Sequence, residues 1–512
     1  MATARLTGRD LTLDDVWRVA VERAPAAPLS EDARERMRAA RDVVERVAHG
    51  SHEHTYGVNT GFGRFVSQQI PEELTEELQL RLLRSHACGV GDPYPDEVVR
   101  AAMLLRANAL AKGNSGARIE TVELLLEFLN RGLLPHVPAR GSVGASGDLA
   151  PLAHLALPLV GEGRARVDGE LLDGADALAR VGLEPVRLVA KEGLSLINGT
   201  QFMAAQGALC LVRAQRLARA ADCACALSLE ALQGSRNSFL PEVHALRPLR
   251  GQAAAARNVL RLLDGSAIIE AHRWCDKVQD AYSLRCAPQV HGAARDLLDY
   301  VEYTVTTELN AATDNPLVLV EREELVSAGN FHGQSLAFAL DALAMAVAEL
   351  ANISERRLER LVNPNLSDGL PAFLTTDGGL NSGFMIPQYV AASLVSENKS
   401  LCHPASVDSI PTSAGQEDHV SMGNASGLKA WQVVANAERA VAIELLAAAQ
   451  AVEFLAPLQP GRGALAAHEA VRALSARLRD DRPLTDDIER VAGAVRDGSL
   501  VAQVEAETGD LE

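Results

Sequence analysis

Residues 141 to 154 read Gly141-Ser142-Val143-Gly144-Ala145-Ser146-Gly147-Asp148-Leu149-Ala150-Pro151-Leu152-Ala153-His154. At the centre, Ala145 and Gly147 place two small residues around Ser146. Gly147 has no Cβ, so its amide nitrogen can fold back towards the Ala145 carbonyl carbon. Attack by that nitrogen with loss of water closes a five-membered imidazolone, and loss of the Ser146 hydroxyl as a second water leaves an exocyclic methylene. The longer stretch therefore predicts a carbon electrophile that no unmodified side chain supplies, although Ala-Ser-Gly alone is more often an ordinary turn.

This stretch resembles a motif of the histidine and aromatic amino-acid ammonia-lyases, Gly-(Ser/Thr)-Val-(Gly/Ala)-Ala-Ser-Gly-Asp-Leu-x-Pro-Leu. Members of that family build a methylidene-imidazolone (MIO) cofactor from the Ala-Ser-Gly within it. The resemblance implies that Ala145, Ser146 and Gly147 form MIO autocatalytically and that no external cofactor is needed.

Composition favours helices and excludes some partners. The chain has 512 residues, of which 47% are hydrophobic and only 4% aromatic, which is enough for a large core and favours helix over sheet. With 49 basic and 67 acidic residues the formal charge is −18, which argues against binding to nucleic acid or to an anionic membrane. No apolar run was expected to span a membrane, and no N-terminal signal region is evident.

Three long stretches without proline carry apolar residues at helical spacing, namely 200–233, 334–362 and 428–456. Helices of this length predict a bundle whose core extends across subunits. We therefore predict an all-α fold with an MIO-bearing N-terminal domain over 1–198 and a long-helix bundle with a C-terminal helical region over 199–512. The family resemblance implies the histidase/fumarase-like architecture. A short hairpin is expected within 163–188, and a frayed tail over 505–512.

Three further segments of the first 200 residues match the family. In the glycine-rich loop 56–63, the resemblance makes Tyr56 the base that removes the β-proton of the substrate. A phenol has a pKa near about 10, so this role requires that helix N-termini or cations stabilise the phenolate. In Ser85-His86, the resemblance implies that His86 reads the substrate side chain. At the start of the first long stretch, it implies that Asn198 contacts the MIO oxygen and the substrate.

Later segments extend the resemblance towards the C-terminus. Residues 279–290 are close to a family signature, in which Arg285 offers a two-pronged donor for the substrate carboxylate and Gln279 and Tyr282 line the same pocket. Phe331 is expected against the MIO ring. The turn 314–316, Asp-Asn-Pro, is expected to be architectural.

Two positions indicate histidine as the substrate. Ser85-His86 resembles the histidine-specific members, and Glu417, within the matching run 413–423, can accept an imidazole N–H or pair with imidazolium. After Phe331 the sequence His332-Gly333-Gln334 departs from the His-Ala-Glu of some histidine-specific members.

The resemblance thus implies a carbon–nitrogen lyase that eliminates ammonia from L-histidine to give trans-urocanate, the first step of histidine degradation. It also implies a homotetramer with active sites shared between subunits. The alternatives are an MIO-dependent tyrosine or phenylalanine ammonia-lyase or aminomutase, and a non-catalytic helical assembly protein. The scattered, odd number of cysteines indicates reduced thiols and a cytoplasmic protein. No metal site is predicted, because His52-Glu53-His54 is more typical of a loop.

Overall fold

Helices make up most of the chain, and the predicted all-α class is confirmed, since 61% of the structure is helical and 7% strand. The computed structural model describes residues 5–50, 55–145, 147–274 and 276–512. The α-helices are α1 (Leu13–Ala20), α2 (Glu31–Gly50), α3 (Thr75–His86), α4 (Asp96–Ala111), α5 (Ile119–Arg131), α6 (Leu149–Ala156), α7 (Gly174–Arg180), α8 (Glu192–Ile197), α9 (Gln201–Ala231), α10 (Pro241–Ala245), α11 (Arg250–Leu262), α12 (Ala267–Ala271), α13 (Tyr282–Arg285), α14 (Ala287–Leu309), α15 (Gln334–Val362), α16 (Met385–Leu401), α17 (Gly423–Val452), α18 (Arg462–Leu474), α19 (Thr485–Asp497) and α20 (Ser499–Thr508).

The strands form three small antiparallel sheets. They are β1 (Val90–Pro93), β2 (Leu134–Pro135), β3 (Pro138–Arg140), β4 (Arg164–Val167), β5 (Glu170–Asp173), β6 (Leu317–Leu319) and β7 (Glu324–Val326). The sheet orders are β1-β3, β2-β4-β5 and β6-β7. The predicted hairpin is the β4–β5 pair, in which Arg164 faces Asp173 and Val167 faces Glu170.

The three long helices predicted from the sequence are present as α9, α15 and α17. The third begins five residues earlier than its expected start at Leu428, at Gly423, and so includes Gly427. A Cβ on Gly427 would lie 2.7 Å from Nε2 of Gln206, so the absence of a side chain allows Gln206 to pack against α17. The helical pattern therefore continues through a glycine that tertiary packing requires.

The chain divides into two compact units, each built from three separate segments. Unit 1 comprises residues 1–209, 302–340 and 404–428, and unit 2 comprises 210–301, 341–403 and 429–512. Helices α9, α14, α15 and α17 each contribute residues to both units. The domain boundary predicted at residue 198 remains a prediction. The two compact units are a different kind of division, because each combines segments that are separate in the sequence.

Unit 2 has a core of small and branched apolar side chains. In α17, Val433, Ala440 and Leu445 are fully buried, and in α15 Leu343 and Leu350 are as well. Alanine at many such positions allows neighbouring helices to approach closely, which suits a bundle of long helices. Among the described residues, helix α15 is long and apolar enough to cross a membrane, contrary to the expectation that no run is. Of its most apolar stretch, 72% is buried inside the fold, as in a core helix.

The expectation of a frayed tail is wrong. Helix α20 extends to Thr508, and the Glu512 backbone N–H donates to Oδ1 of Asn258 at 3.0 Å. The Glu512 carbonyl oxygen accepts hydrogen bonds from Nδ2 of Asn258 at 2.9 Å and from Nη2 of Arg295 at 3.0 Å. The end of the segment is therefore anchored within unit 2 by backbone hydrogen bonds to side chains of α11 and α14.

Candidate active site

A cavity of about 930 Å³ lies in unit 1 beside the helix that follows the Ala-Ser-Gly tripeptide. Its walls come from the 56–70 loop, from α3, from the start of α6, from α8 with the residue after it, and from the 413–417 turn. The lining residues are Tyr56, Gly61, Phe62, Gly63, Arg64, Phe65, Gln68, Ile70, Leu78, Arg81, Leu82, Ser85, His86, Leu149, Leu194, Asn198, Ser413, Ala414 and Glu417. Four residues predicted from the sequence, Tyr56, His86, Asn198 and Glu417, therefore share one cavity.

The loop that carries the tripeptide is compressed against the chain before α9. Gly147 has φ +76°, pairs with Gly199 in a parallel bridge, and would place a Cβ 2.1 Å from the Gly199 carbonyl oxygen. Its amide nitrogen contacts the carbonyl oxygen of buried Ala145. Ser146 lies outside the described residues. Only glycine fits at position 147, and the backbone there has the tight bend that ring closure requires.

The other end of the same loop is held by two segments distant in sequence. The Gly144 carbonyl oxygen accepts hydrogen bonds from Oγ of Ser421 at 2.9 Å and from the Gly333 backbone N–H at 3.2 Å. The Met422 N–H donates to the Val143 carbonyl oxygen at 2.8 Å. The loop is thus fixed on both sides of the tripeptide.

Asp148 connects the tripeptide to the N-terminus of α9. Its carboxylate accepts from Oγ of Ser142 at 2.9 Å and from the Met203 N–H at 2.9 Å, and its own N–H donates to the Gly199 carbonyl at 2.6 Å. Complete burial raises the pKa of Asp148 to about 6, and the backbone hydrogen bond from Met203 opposes the shift. The helix N-terminus favours the ionised form at neutral pH.

Asn198 ends α8 and faces the cavity. The residue is 1% exposed, and its Oδ1 has no hydrogen-bond partner among the described residues. A buried polar atom without a partner is costly, which is typical of a position that binds a ligand or cofactor. No described residue provides that partner for Asn198.

A buried network of charged residues holds α8 in place. Nη1 of Arg106 donates to Oε1 of Gln201 at 2.7 Å, and the same guanidinium binds the Ser195 carbonyl oxygen. Nζ of Lys191 lies 2.8 Å from Oδ2 of Asp314, and both side chains are fully buried. The architectural role predicted for the Asp-Asn-Pro turn is therefore supported by an ion pair to α8.

His86 is the last residue of α3, and its ring is oriented by the helix itself. Nδ1 lies 2.9 Å from the Leu82 carbonyl oxygen, a group that only accepts, so Nδ1 carries the proton. Nδ1 also lies 3.0 Å from Oγ of Ser85. Burial lowers the pKa of His86, so the ring is neutral and Nε2 is an acceptor.

Glu417 closes a tight turn in the cavity wall. Ser413 and Ala414 in that turn both have left-handed backbone angles, with φ of 53° and 54°, which non-glycine residues adopt at a cost. Oγ1 of Thr412 donates to Oε2 of Glu417 at 2.6 Å. The turn also contacts the 56–63 loop, since a Cβ on Gly63 would lie 2.4 Å from Oγ of Ser413.

Tyr56 is half-buried and its environment differs from the expectation for a ready base. Burial is the main cause that raises its pKa, and the charge of Glu417 adds to the shift. The Gly63 N–H, 3.5 Å from the phenol oxygen, opposes it. Its ring meets Phe62 edge to face at 5.9 Å. In unit 1 as described, the phenol form is therefore favoured over the phenolate.

The other predicted residues do not contribute to the walls of this cavity. Gln279, Tyr282 and Arg285 belong to unit 2; Gln279 is exposed, and Tyr282 is 70% exposed with the Arg285 guanidinium 4.5 Å from its ring centre. Nε of Arg285 donates to the Asp280 carbonyl at 2.9 Å. Phe331 is half-buried in the turn before α15, in unit 1 but outside the cavity lining.

Comparison with known proteins agrees with these features. A family profile for aromatic amino acid lyases matches residues 11–473. The chain belongs to the aromatic amino acid lyase family. It is 57% identical over 507 residues to a histidine ammonia-lyase of Gloeobacter violaceus, covering 99% of this chain and 98% of the relative, and 55% identical over 505 residues to one of Symbiobacterium thermophilum, covering 99% of each. The crystal structure of histidine ammonia-lyase from Trypanosoma cruzi superposes with a TM-score of 0.91 at 46% identity, covering 98% of this chain and 95% of that one.

A second solved structure similar to this chain has a different activity in its name. Tyrosine aminomutase from Streptomyces globisporus matches with a TM-score of 0.94 at 39% identity over the whole of both chains. The family prediction made from the sequence is therefore confirmed, while the backbone alone does not distinguish its members. Substrate choice has to be argued from side chains such as His86 and Glu417.

Sequence reasoning missed several residues that hold the site together. Thr412, Ser421 and Arg106 each bind a segment of the site through a hydroxyl or guanidinium group. Thr412 lies next to the run 413–423 that resembles the family, and Ser421 lies within it. The resemblance of this run was therefore the sequence signal that could have identified both residues. Arg106 has no local signal, because an arginine within an apolar helix does not reveal which distant carbonyl it binds. Within the described ranges, no group of three or more His, Cys, Asp or Glu side chains is arranged to hold a metal ion, and His52-Glu53-His54 lies outside those ranges.

Proposed function

We propose that this chain is a histidine ammonia-lyase, a carbon–nitrogen lyase that releases ammonia from L-histidine to give trans-urocanate in the first step of histidine degradation. The observation that carries the proposal is that His86 and Glu417, two acceptors that can bind the two N–H groups of an imidazolium, line one cavity with Tyr56 and Asn198. Relatives that carry this name at 57% and 55% identity over nearly the full chain support it.

The residues around the tripeptide fit the formation of MIO from Ala145, Ser146 and Gly147. The fit rests on the compressed turn, in which the Gly147 nitrogen contacts the Ala145 carbonyl, and on the unpartnered oxygen of Asn198. Once formed, MIO supplies an electrophilic carbon that takes up the substrate amine and makes it a better leaving group. In this proposal Asn198 binds the MIO oxygen and the substrate.

The remaining roles follow from chemistry and from the family resemblance. Arg285 binds the substrate carboxylate through its two-pronged donor, with Gln279 and Tyr282 beside it, and Phe331 packs against the MIO ring. Tyr56 accepts the β-proton at its oxygen as the phenolate and becomes the neutral phenol. Since the Glu417 charge raises the pKa of Tyr56, an imidazolium that pairs with Glu417 offsets that charge and favours the phenolate when substrate is bound.

We further propose a cytoplasmic homotetramer with active sites shared between subunits. Six described cysteines, at positions 88, 210, 223, 225, 286 and 402, are free thiols, which fits a reducing compartment. The exposed position of Tyr282 and its neighbour Arg285 in unit 2 fits residues that complete a site in another subunit. L-Histidine is the only partner that the proposal requires.

An aminomutase or lyase acting on tyrosine is the second candidate, because a tyrosine aminomutase is 39% identical to this chain over the whole of both. The Glu417 carboxylate argues against it, because a tyrosine side chain offers one hydroxyl donor, whereas an imidazolium offers two N–H groups.

The test is an assay of the purified protein with L-histidine, following urocanate by its near-ultraviolet absorbance and ammonia separately. Equal release of both is expected, with L-tyrosine and L-phenylalanine as comparison substrates. The intact mass of the same preparation should be lower than the sequence mass by two waters. Protein with that mass deficit that converts tyrosine and leaves histidine unchanged would exclude histidine ammonia-lyase activity and support the second candidate.

A further inference from the structure

Thr412 and Glu417 form the two ends of the turn that borders the cavity. They pair in an antiparallel bridge, with the Thr412 N–H 2.9 Å from the Glu417 carbonyl oxygen and the Glu417 N–H 3.3 Å from the Thr412 carbonyl oxygen. Between them, the Gly415 N–H donates to the Thr412 carbonyl at 3.0 Å. Thr412 is thus the backbone partner of the residue that faces the substrate space.

The same two residues are joined through their side chains. Oγ1 of Thr412 donates to Oε2 of Glu417 at 2.6 Å, in a partly buried position. A hydrogen bond to an ionised carboxylate is stronger than one between neutral groups, and it limits the rotation of a long side chain. Thr412 itself is absent from the cavity walls, whereas Glu417 is part of them.

The position of the Glu417 carboxylate affects more than one group in the cavity. Its charge raises the pKa of Tyr56 and, against the larger effect of burial, that of His86. The Nε2 acceptor of His86, at the end of α3, lines the same cavity. An imidazolium that donates one N–H to each of these groups needs both acceptors at fixed positions, because hydrogen bonds weaken steeply as their angle worsens.

We propose that Thr412 is a positioning residue that holds the Glu417 carboxylate in the orientation that selects an imidazole side chain. This inference rests on the proposed function and adds to it a residue that does not touch the substrate. The hydroxyl is the active group, and the β-branched shape of threonine is secondary.

The test compares Thr412→Val, which keeps the shape and removes the hydroxyl, with Thr412→Ser, which keeps the hydroxyl. For L-histidine we expect Thr412→Val to lower kcat/KM by about tenfold, chiefly through a higher KM, since a hydrogen bond to a charged group is lost. Thr412→Ser should stay within about twofold of the unaltered chain, the remaining factor reflecting the lost methyl group. Intact mass and thermal melting, measured for both variants, report cyclisation and folding independently of turnover.

A double-mutant cycle separates this role from a general effect on the turn. Binding of urocanate is measured for Thr412→Val, for Glu417→Ala and for the double variant, so that no turnover is needed. If Thr412 acts through the carboxylate, adding Thr412→Val to Glu417→Ala changes the Kd by less than about twofold. If the increases in Kd caused by the two single substitutions multiply in the double variant, Thr412 acts by another route and the inference is overturned.

Two other results would also overturn it. Unchanged kinetics in Thr412→Val would show that the hydroxyl is not needed, and equal losses in both Thr412 variants would assign the effect to packing. An unaltered chain that carries the two-water deficit but does not convert L-histidine would remove the proposed function, and this inference with it. Histidine conversion with an unchanged Thr412→Val variant would remove the inference alone.

Discussion

Ser146 is the residue on which the proposed electrophile depends, because its hydroxyl is the group lost as the second water. Ser146→Ala should remove nearly all histidine turnover, since no methylene can form without that hydroxyl. Intact mass spectrometry checks the cause, as the variant can lose at most one water. A variant with turnover equal to that of the unaltered chain would show that MIO is not part of the mechanism.

Glu417 is expected to read the substrate through its charge as well as its shape. Glu417→Gln should reduce kcat/KM for L-histidine by roughly ten- to a hundredfold, the range for losing a hydrogen bond to a charged group. Asp418→Asn makes the same change of charge one residue away, on an exposed side chain outside the cavity lining, and serves as the matched control. An unchanged rate in Glu417→Gln would remove Glu417 from the imidazole site.

The residue types in the cavity were predictable, but their protonation states were not. The motif around Ser85-His86 indicated an imidazole contact, whereas the tautomer depends on the Leu82 carbonyl one turn earlier in α3. For Tyr56, the need for phenolate stabilisation was clear from the sequence. Only the structure revealed that burial and Glu417 raise the pKa of Tyr56.

Between elements, Glu230 near the end of α9 connects that helix to the segment that begins α18. Its carboxylate accepts from the Gly461 N–H at 2.8 Å and from Oγ of Ser266 at 2.7 Å. Burial raises the pKa of Glu230 from 4.5 to about 7. Because the protonated form is favoured in the folded state, the associated stability is fully present below about pH 4.5 and is lost as the pH rises through about 7.

Glu230→Gln tests this pH dependence. A glutamine can accept from Gly461 through its oxygen and donate to Ser266 through its nitrogen, so both partners stay bonded. Between acid and neutral pH, the free energy of unfolding of the unaltered chain should fall by up to roughly 3 kcal/mol because of Glu230. The variant should not show this decrease. Thermal melting at several pH values checks this: the melting temperature of the variant relative to the unaltered chain should rise from pH 5 to pH 8, and a constant difference would contradict it.

On the scale of the whole molecule, unit 2 contains a buried charge network among its long helices. Nη2 of Arg357 lies 2.8 Å from Oε2 of Glu444, and Oγ of Ser228 donates to the same carboxylate at 2.7 Å. Both charged side chains are fully buried. A buried pair adds little net stability compared with apolar residues, but removal of one partner leaves an uncompensated charge.

Arg357→Leu should therefore destabilise the protein by about 3–5 kcal/mol. Addition of Glu444→Leu should recover part of that loss, because the unpaired carboxylate is then gone. Chemical denaturation of the two variants checks the order. A double variant less stable than Arg357→Leu alone would show that packing around the pair matters more than its charge.

Exposed apolar side chains on α16 fit the proposed homotetramer. Ile386 is 54% exposed and Tyr389 is 62% exposed, more than a surface of scattered apolar residues requires. We expect four chains per particle by light scattering. Coexpression of Glu417→Ala with Arg285→Ala should restore part of the activity that each lacks, since shared sites can then combine two intact halves; the absence of any recovery would argue against shared sites.

The sequence by itself determined the helical class, the three long helices, the family and the residues of the tripeptide, because these depend on local periodicity and on contiguous motifs. The tertiary structure alone decided what holds those residues in place. The bonds from Ser421 to Gly144 and from Thr412 to Glu417, and the anchoring of Glu512, connect side chains to partners chosen by packing. A hydroxyl or a backbone N–H can bind many groups, and only the folded chain fixes which one lies within hydrogen-bond distance.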